Sequence, residues 1–392
     1  MSGVRAPYRD RLEVLAAGGV VEARLAAWAA QQSIEVLGLW RRVYGKLRPQ
    51  RSPWAVLVYE AEGAPTVQVR LLEDSDGARG LRGSLPAGEL GRVEVVSCAA
   101  DPRLPGLPAV LAALDHPKVV RYHPGSRCTV RGGTRESARY VKVLFDAVDD
   151  QQDARARWQA SVSGALSFAV AEPHGWEARS RSSWYGVVPG VSVSESLSGP
   201  EATTLARRIG EALGELASSS LRPSRRDDAT VQLARAQRGL GRAAVAAPGL
   251  SVGLREAGES LARAHARLDA RPLVPIHGAA HLGQWLVDDT GRLGLVDFDR
   301  FACGEPEFDL ATFVVELRDL LKRQETGELE AAVVDGFRAV AGDVDAVRLE
   351  LYVLHKQLAK VVRTASALRP DAEERAAPLL EALQSPLGRV GG

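Results

Sequence analysis

The fold of this chain is decided by the sequence IHGAAHLGQWLVD at residues 276–288 and by GLVDFD at residues 294–299. Gly278 and Gly283 argue against a helix in the first segment, so it predicts a polar loop that leads into a short apolar strand. The second segment predicts another short strand that ends in an acidic turn. Together they have the form of a catalytic loop, a strand and a metal-binding turn.

Composition limits the class of protein. The 392 residues suffice for two or three packed units, since single domains run roughly 100 to 200 residues. With 50 basic and 49 acidic side chains, the charge balance predicts neither a nucleic-acid nor a membrane partner. The three cysteines indicate neither a disulfide framework nor a zinc site, and no signal peptide or membrane span is recognisable. We therefore expect a cytoplasmic location.

Residues 1–117 predict an N-terminal α/β cap. From Tyr8 to Ile34 the apolar residues recur with helical spacing, which is interrupted near Gly18 and Gly19. A proline-rich segment and a short helix end the cap at Pro117. Three β-branched runs between these parts predict an antiparallel meander: residues 54–59, 66–71 and 93–97.

Residues 118–198 predict a β-rich lobe and residues 199–392 a helical lobe. Lys142 lies in the third predicted strand of the β-rich lobe, and alternation puts it on the face opposite Val141 and Val143. There it points to solvent or lines a cleft. In the helical lobe, a Pro- and Arg-containing tail is expected to follow six amphipathic helices: residues 200–216, 229–245, 250–269, 309–322, 327–340 and 344–368.

The order of these parts matches the needs of phosphoryl transfer. That chemistry requires a cation on the phosphates, Mg²⁺ held by oxygen ligands, and a carboxylate that orients and deprotonates the acceptor hydroxyl. Protein kinases supply a lysine on the third strand, a catalytic loop and an Asp-containing turn. Lys142, the 277–284 loop and Asp297 follow the same order. The sequence thus predicts an α+β, bilobal protein-kinase-like fold behind the cap.

These motifs resemble a known superfamily. HGAAHLGQ at 277–284, VDFD at 296–299 and GEPEFDLA at 304–311 are similar to the aminoglycoside phosphotransferase (choline kinase-like) superfamily. Its pattern is His-Gly-Asp-x-His-x-x-Asn, then an Asp-containing turn and Asp-Leu-Ala. Gln284, where most relatives have asparagine, and the preceding cap are nearest in motif style to the maltokinase-like branch. The motifs cover about residues 275–311.

The resemblance implies a nucleotide and metal site. Asp297 and Asp299 would ligate Mg²⁺, and Gln284 would add its amide oxygen. Lys142 would contact the phosphates of ATP or GTP, with Asp153 on the following helix as its partner carboxylate.

The resemblance also implies how the loop is held. His277 would brace it, Asp309 would anchor it from the start of the following helix, and His281 would take either a bracing or an anchoring role. The turn that contains Gly125 and Arg127 would be the flap over the phosphates.

Several nearby residues also have structural interpretations. Arg121, Arg127 and Arg131 alternate along a hairpin, as side chains on one solvated face do. Trp184 and Tyr185 fit core or hinge packing better than a platform for a ligand. The pair His277 and His281 does not predict zinc, because the glycines beside them break the helix that such a pair needs.

The chain departs from the superfamily pattern at residue 279, where alanine stands in place of the catalytic aspartate. A methyl group neither accepts a proton nor orients a hydroxyl, so turnover should fall by orders of magnitude. Either the chain is a natural pseudo-kinase, or the aspartate was replaced to give an inactive variant. We favour replacement, because Gln284 and Asp297 remain in register.

Two hypotheses for the function follow. The first is a nucleotide-dependent phosphotransferase that acts on the hydroxyl of a small molecule or of a peptide Ser/Thr in a natural-product pathway. The second is a nucleotide-binding scaffold that holds a partner protein. The Arg-rich region 218–242 argues against a cationic acceptor and suits an anionic or peptide acceptor better.

Overall fold

The computed structural model describes residues 8–73, 85–86, 90–133, 137, 139–145, 166–321 and 326–391. It confirms the bilobal α+β fold, with β-sheets in the N-terminal half and mainly helices in the C-terminal half. None of the helices in these ranges is long and apolar enough to cross a membrane.

The N-terminal cap is an antiparallel sheet with two helices, α1 (Arg9–Ala17) and α2 (Val20–Gln31). Helix α2 buries Val21, Leu25 and Ala29, whose spacing of four residues puts them on one face. The strand order is β1-β2-β3-β5-β4. The strands are β1 (Arg41–Leu47), β2 (Ala55–Glu60), β3 (Val67–Leu72), β4 (Leu85–Pro86) and β5 (Arg92–Ser97).

Strand β2 is buried on both faces because the cap is covered on both sides. Leu57 and Tyr59 belong to the core with α1 and α2, whereas Val58 packs into the core of the second sheet. The apolar run of this strand therefore joins the cap to the β-rich lobe.

The β-rich lobe contains α3 (Leu107–Ala113) and a second antiparallel sheet in the order β10-β11-β8-β7-β6. Val141 and Val143 are fully buried against the cap side, so Lys142 between them points to the opposite face. The predicted helix at 149–158 lies outside the described residues. The strands are β6 (Lys118–His123), β7 (Arg127–Gly132), β8 (Arg139–Leu144), β10 (Pro173–Glu177) and β11 (Ser182–Tyr185).

The six helices predicted for the helical lobe are all present, but the predicted tail is wrong. Residues 372–391 form a further helix, although Pro378 and Pro386 lie within it. Its Leu380, Leu383 and Leu387 are buried in a helical core, and this packing outweighs the helix-breaking tendency of proline. The helices are α4 (Ala202–Ser218), α5 (Ala229–Ala246), α6 (Ser251–Ala266), α7 (Glu307–Leu321), α8 (Gly327–Ala341), α9 (Ala346–Ala365) and α10 (Ala372–Gly391).

Short strands hold the 277–284 loop at both ends. Before it, β13 (Val274–Ile276) pairs with β16 (Ala302–Gly304). After it, β14 (Trp285–Val287) forms a hairpin with β15 (Leu293–Leu295). Two segments of the predicted β-rich lobe extend this hairpin into a four-stranded sheet: β12 (Val191–Ser192) beside β14 and β9 (Ala169–Val170) beside β15.

Candidate active site

One buried carboxylate holds the 277–284 loop in shape. Asp309, in the first turn of α7, accepts the backbone N–H of His277 at 2.6 Å, of Gly278 at 3.0 Å and of Ala280 at 3.5 Å. Gly278 has a φ of 75°, and a Cβ there would lie 2.4 Å from a backbone carbonyl oxygen. Only glycine fits this position without strain. The loop geometry thus depends on Asp309 and Gly278 together.

His277 connects the loop to the strand before the acidic turn. Its imidazole is fully buried and its Nε2 donates a hydrogen bond to the carbonyl oxygen of Val296 at 3.1 Å. The ring also packs edge-on against Phe298, with 4.6 Å between centroids. Burial lowers the pKa of His277 to about 4, so it is neutral at pH 7. A neutral, enclosed histidine of this kind braces the loop and carries no charge.

Residues 279 and 281 face the same cavity. The backbone N–H of His281 donates to the carbonyl oxygen of Ala279 at 2.7 Å, which makes a tight turn between them. Burial lowers the pKa of His281, and the nearby carboxylate of Glu316 partly opposes that effect. The side chain at 279 is a methyl group, so this turn presents an imidazole but no carboxylate to the cavity.

The acidic turn is neutralised by cations from the β-rich lobe. Lys142 Nζ donates to Asp297 at 2.5 Å and to Asp299 at 2.9 Å, and Arg127 Nη1 donates to Asp299 at 2.7 Å. Burial lowers the pKa of Lys142, but the carboxylates of Asp299 and Asp297 outweigh it, so the net pKa is raised. Asp297 has a left-handed backbone with a φ of 66°, an uncommon state for a residue other than glycine. The two lobes therefore meet through these four side chains.

The residues at the turn suit a hard divalent cation. Gln284 Nε2 donates to Asp297 at 3.4 Å, while the buried Oε1 of Gln284 has no hydrogen-bond partner among the described residues. Two carboxylates and an unpartnered amide oxygen form an oxygen donor set of the type that Mg²⁺ prefers. The described part of the chain contains no group of three His, Cys, Asp or Glu side chains arranged to hold a metal ion.

A cavity of about 380 Å³, named here the interlobe cavity, lies between the two lobes. Its walls are mainly apolar and come from strands of both lobes. Its charged end is formed by Lys142, Asp297 and Asp299. The apolar lining includes Val120, Tyr185, Val188 and Leu286.

A second cavity of about 530 Å³, named here the basic cavity, lies on the other side of the acidic turn. Asp297 and Asp299 line it as well, together with Ala279, His281 and Glu316. Its walls carry five cationic side chains: Arg121, Arg127, Arg300, Lys356 and Arg363.

Lys356 on α9 is the most enclosed of these cations. Its Nζ lies 3.3 Å from the centroid of the Phe308 ring. Burial lowers the pKa of Lys356 to about 7, and the carboxylate of Asp309 partly offsets that shift. Burial likewise raises the pKa of Asp309, and Lys356 and the backbone N–H donors oppose that rise. The ammonium therefore sits close behind the loop without a direct ion pair to Asp309.

Most of the site residues predicted from sequence lie around the acidic turn. Lys142, Arg127, Gln284, Asp297 and Asp299 meet there, and Ala279 and His281 line the basic cavity beside it. Gly125 lies outside the lining of both cavities, where its N–H donates to Asp101 at 2.7 Å. Asp153, the predicted partner of Lys142, lies outside the described residues.

Arg121 is exposed and Tyr185 is buried, as the structural interpretations of these residues predict, but Arg121 also lines both cavities and Tyr185 the interlobe cavity. Sequence analysis did not single out four charged residues that line the basic cavity: Arg300, Glu316, Lys356 and Arg363. The only signal for Lys356 was the scarcity of lysine in this chain.

Comparison with known proteins gives one match in sequence and several in structure. The sequence pattern of the phosphotransferase enzyme family matches residues 129–351. No curated protein matches significantly.

Solved structures share the fold at low sequence identity. The choline kinase LicA from Streptococcus pneumoniae is 12% identical with a TM-score of 0.52, over 70% of this chain and 97% of that chain. The amicoumacin kinase hAmiN, in complex with AMP-PNP, Ca²⁺ and Ami, is 13% identical with a TM-score of 0.55, and the match covers 73% of this chain and 94% of that chain. APH(2")-IIia, in complex with GDP and kanamycin, is 14% identical with a TM-score of 0.51, and the match covers 70% of this chain and 94% of that chain.

Proposed function

The chain belongs to the phosphotransferase enzyme family, and on that premise we propose that it binds ATP or GTP in the interlobe cavity and a hydroxyl acceptor in the basic cavity. The observation that carries this proposal is the position of Asp297 and Asp299, which line both cavities and are bridged by Lys142. A phosphoryl group that passes from one cavity to the other crosses this turn. The solved kinases with AMP-PNP or GDP share the same bilobal fold.

The interlobe cavity offers a nucleotide both an apolar wall and a cationic end. Tyr185 and Leu286 present apolar surface from the two lobes, which suits the faces of a purine base. Lys142 lines the charged end of this cavity and Arg127 contacts Asp299 beside it, so both supply positive charge where the phosphates would lie.

Asp297, Asp299 and Gln284 would hold Mg²⁺. The ion would supply positive charge that neutralises the nucleotide phosphates. The protein's own part is to fix these oxygen atoms: Asp297 by its left-handed backbone, and Gln284 by burial and by its hydrogen bond to Asp297.

The chain lacks the carboxylate that would take the proton from the acceptor in the superfamily pattern. Ala279 faces the basic cavity beside His281, and burial lowers the pKa of that imidazole, which makes it a weaker base than a free histidine. A positioned general base contributes roughly 10²- to 10⁴-fold to rate. We therefore expect nucleotide binding without efficient transfer.

The test is the substitution Ala279→Asp, with Ala279→Asn as a control of the same size that cannot accept a proton. Nucleoside triphosphate hydrolysis and transfer would be measured with Mg²⁺ against sugars, aminoglycosides, hydroxy acids and Ser/Thr peptides. We expect the Asp variant to gain at least about 100-fold in turnover and the Asn variant to gain little. An inactive Asp variant that binds nucleotide would contradict the enzyme proposal.

A second candidate is a nucleotide-binding scaffold for a partner protein. It is favoured by one observation, the methyl group at residue 279 in a loop that Asp309 and His277 still hold in shape. Equal binding of AMP-PNP by the unchanged chain and by Ala279→Asp, with no transfer by either, would support the scaffold. If neither chain binds nucleotide, both candidates fail.

A further inference from the structure

The basic cavity has more positive than negative charge. Five cationic side chains line it against three carboxylates, and two of those carboxylates also face Lys142. Arg127 is paired with Asp299 at 2.7 Å. Across the described ranges, no carboxylate lies within 4 Å of the other four cations: Arg121, Arg300, Lys356 and Arg363.

The excess charge is concentrated behind the loop. Lys356 is enclosed between Phe308 and the cavity, and the buried carboxylate of Asp309 already accepts three backbone N–H groups. Arg300 and Arg363, which also line this cavity, are exposed to solvent. At residue 279 the methyl group leaves this wall without the carboxylate that the superfamily pattern places there. An enclosed, unpaired ammonium such as that of Lys356 is unfavourable unless a ligand supplies an anion, and the exposed Arg300 and Arg363 add positive potential that attracts one.

We propose that the acceptor carries an anionic group, a carboxylate or a phosphoryl group, beside its reacting hydroxyl, and that Lys356, Arg300 and Arg363 bind this group. The inference rests on the proposed function, because it assigns the basic cavity to the acceptor. A volume of about 530 Å³ suits a small molecule. A cationic acceptor would meet like charge on these walls, and a neutral acceptor would leave the cations unpaired.

The test measures equilibrium binding by calorimetry to the full chain saturated with AMP-PNP and Mg²⁺, so that the phosphate subsite of the nucleotide is filled. The probes are glycerol 3-phosphate, D-glycerate, inorganic phosphate, glycerol and choline. We expect an anion to bind at least about tenfold tighter than glycerol or choline, and to weaken as salt is raised. Glycerol 3-phosphate and D-glycerate distinguish a phosphoryl group from a carboxylate. Binding of choline or glycerol as tight as that of the anions, or no anion binding at all, overturns the proposal.

Two variants connect the binding to its residues. Lys356→Met keeps an apolar side chain on Phe308, and Arg363→Gln changes an exposed residue whose loss does not threaten folding. Each should weaken anion binding by about tenfold or more, because a charge-assisted hydrogen bond is lost. Arg255→Gln on α6, away from the cavity, is the matched control and should change nothing. Unchanged anion binding in both cavity variants overturns the proposal.

AMP-PNP titration separates this inference from the proposed function. Both cavity variants should bind AMP-PNP as the unchanged chain does, because neither residue lines the interlobe cavity. If the unchanged chain does not bind AMP-PNP, the proposed function fails. If it binds AMP-PNP but no anion, only the inference about the acceptor fails.

Discussion

The interlobe cavity and the basic cavity share one wall, the turn with Asp297 and Asp299, and differ in almost everything else. The interlobe cavity is lined mainly by apolar strand residues, and its Lys142 is paired with Asp297 and Asp299. The basic cavity is lined by the ends of long side chains, and several of its cations have no carboxylate partner among the described residues.

The difference coincides with the departure from the superfamily pattern. Lys142 lines the interlobe cavity and Asp297 lines both cavities, whereas Gln284 and the alanine at 279 line the basic cavity alone. Binding and proton transfer make separate demands on a site. The interlobe side therefore carries the lysine proposed to bind the nucleotide phosphates, while the basic cavity has alanine at residue 279 and more cations than carboxylates in its lining.

The substitution Asp309→Ala should have the largest effect, because it removes the support of both cavities at once. Three buried N–H donors of the loop would lose their acceptor, and Lys356 would lose the carboxylate that partly offsets the effect of burial on its pKa. We expect the free energy of unfolding to fall by about 3 to 5 kcal/mol, as when one partner of a buried charged group is removed. Urea denaturation measures it. Asp309→Asn, which keeps an acceptor oxygen, should lose less, and equal losses would contradict the role of these hydrogen bonds.

The substitution Asp297→Asn should separate the two cavities. It removes one carboxylate from Lys142 and a proposed ligand of Mg²⁺, so Mg²⁺-dependent affinity for AMP-PNP should fall by about 100-fold, which is about 2.7 kcal/mol. Binding of D-glycerate should not weaken, since the basic cavity loses a negative charge. Calorimetry with and without Mg²⁺ measures both. A parallel loss of nucleotide and anion binding would show that the cavities are not independent.

The pH dependence of ligand affinity should differ between the two cavities. The pKa of Lys356 is lowered to about 7, so Lys356 is charged below neutral pH and loses its proton as pH rises. Affinity for D-glycerate, which does not titrate near neutrality, should fall by up to about tenfold from pH 6 to pH 8. The raised pKa of Lys142 keeps that residue charged throughout, so AMP-PNP binding should change little. A flat profile for D-glycerate that Lys356→Met does not alter would contradict this account.

The smallest effect is expected at Tyr185. Its ring lines the interlobe cavity, with Lys142 Nζ 5.8 Å from the ring centroid. Tyr185→Leu should weaken AMP-PNP by about fivefold, roughly 1 kcal/mol, because an aromatic face is lost. Tyr185→Phe keeps the face and should bind normally. Binding of D-glycerate should be the same in both variants, and a change there would contradict the assignment of Tyr185 to one cavity.

Sequence reasoning predicted which residues lie close together where they belong to contiguous motifs. Lys142 stands alone between apolar residues of one strand, and Gln284, Asp297 and Asp309 lie within 26 positions of one another in a fixed order. The loop and turn bring these residues together over a short length of chain, so spacing alone indicates their neighbours. Gly278 also has a local explanation, because its backbone has a positive φ that glycine adopts without strain.

It failed where distant segments meet. Lys356 lies on a helix, and the periodic pattern of that helix does not distinguish this lysine from its other polar residues. Only the packing of α9 against α7 brings Lys356 to the loop. The segment at 372–391 was predicted as a Pro- and Arg-containing tail, but burial of its leucines against distant helices stabilises it as a helix.

The sequence by itself determined the bilobal α+β fold, the order of the site motifs and the missing carboxylate at residue 279, because each depends on local pattern or spacing. Only the tertiary structure decided that Ala279 faces a cavity with an excess of cations and that Lys142 joins Asp297 and Asp299 across the lobes. Those features depend on how helices and strands far apart in the chain pack, which side-chain periodicity does not specify.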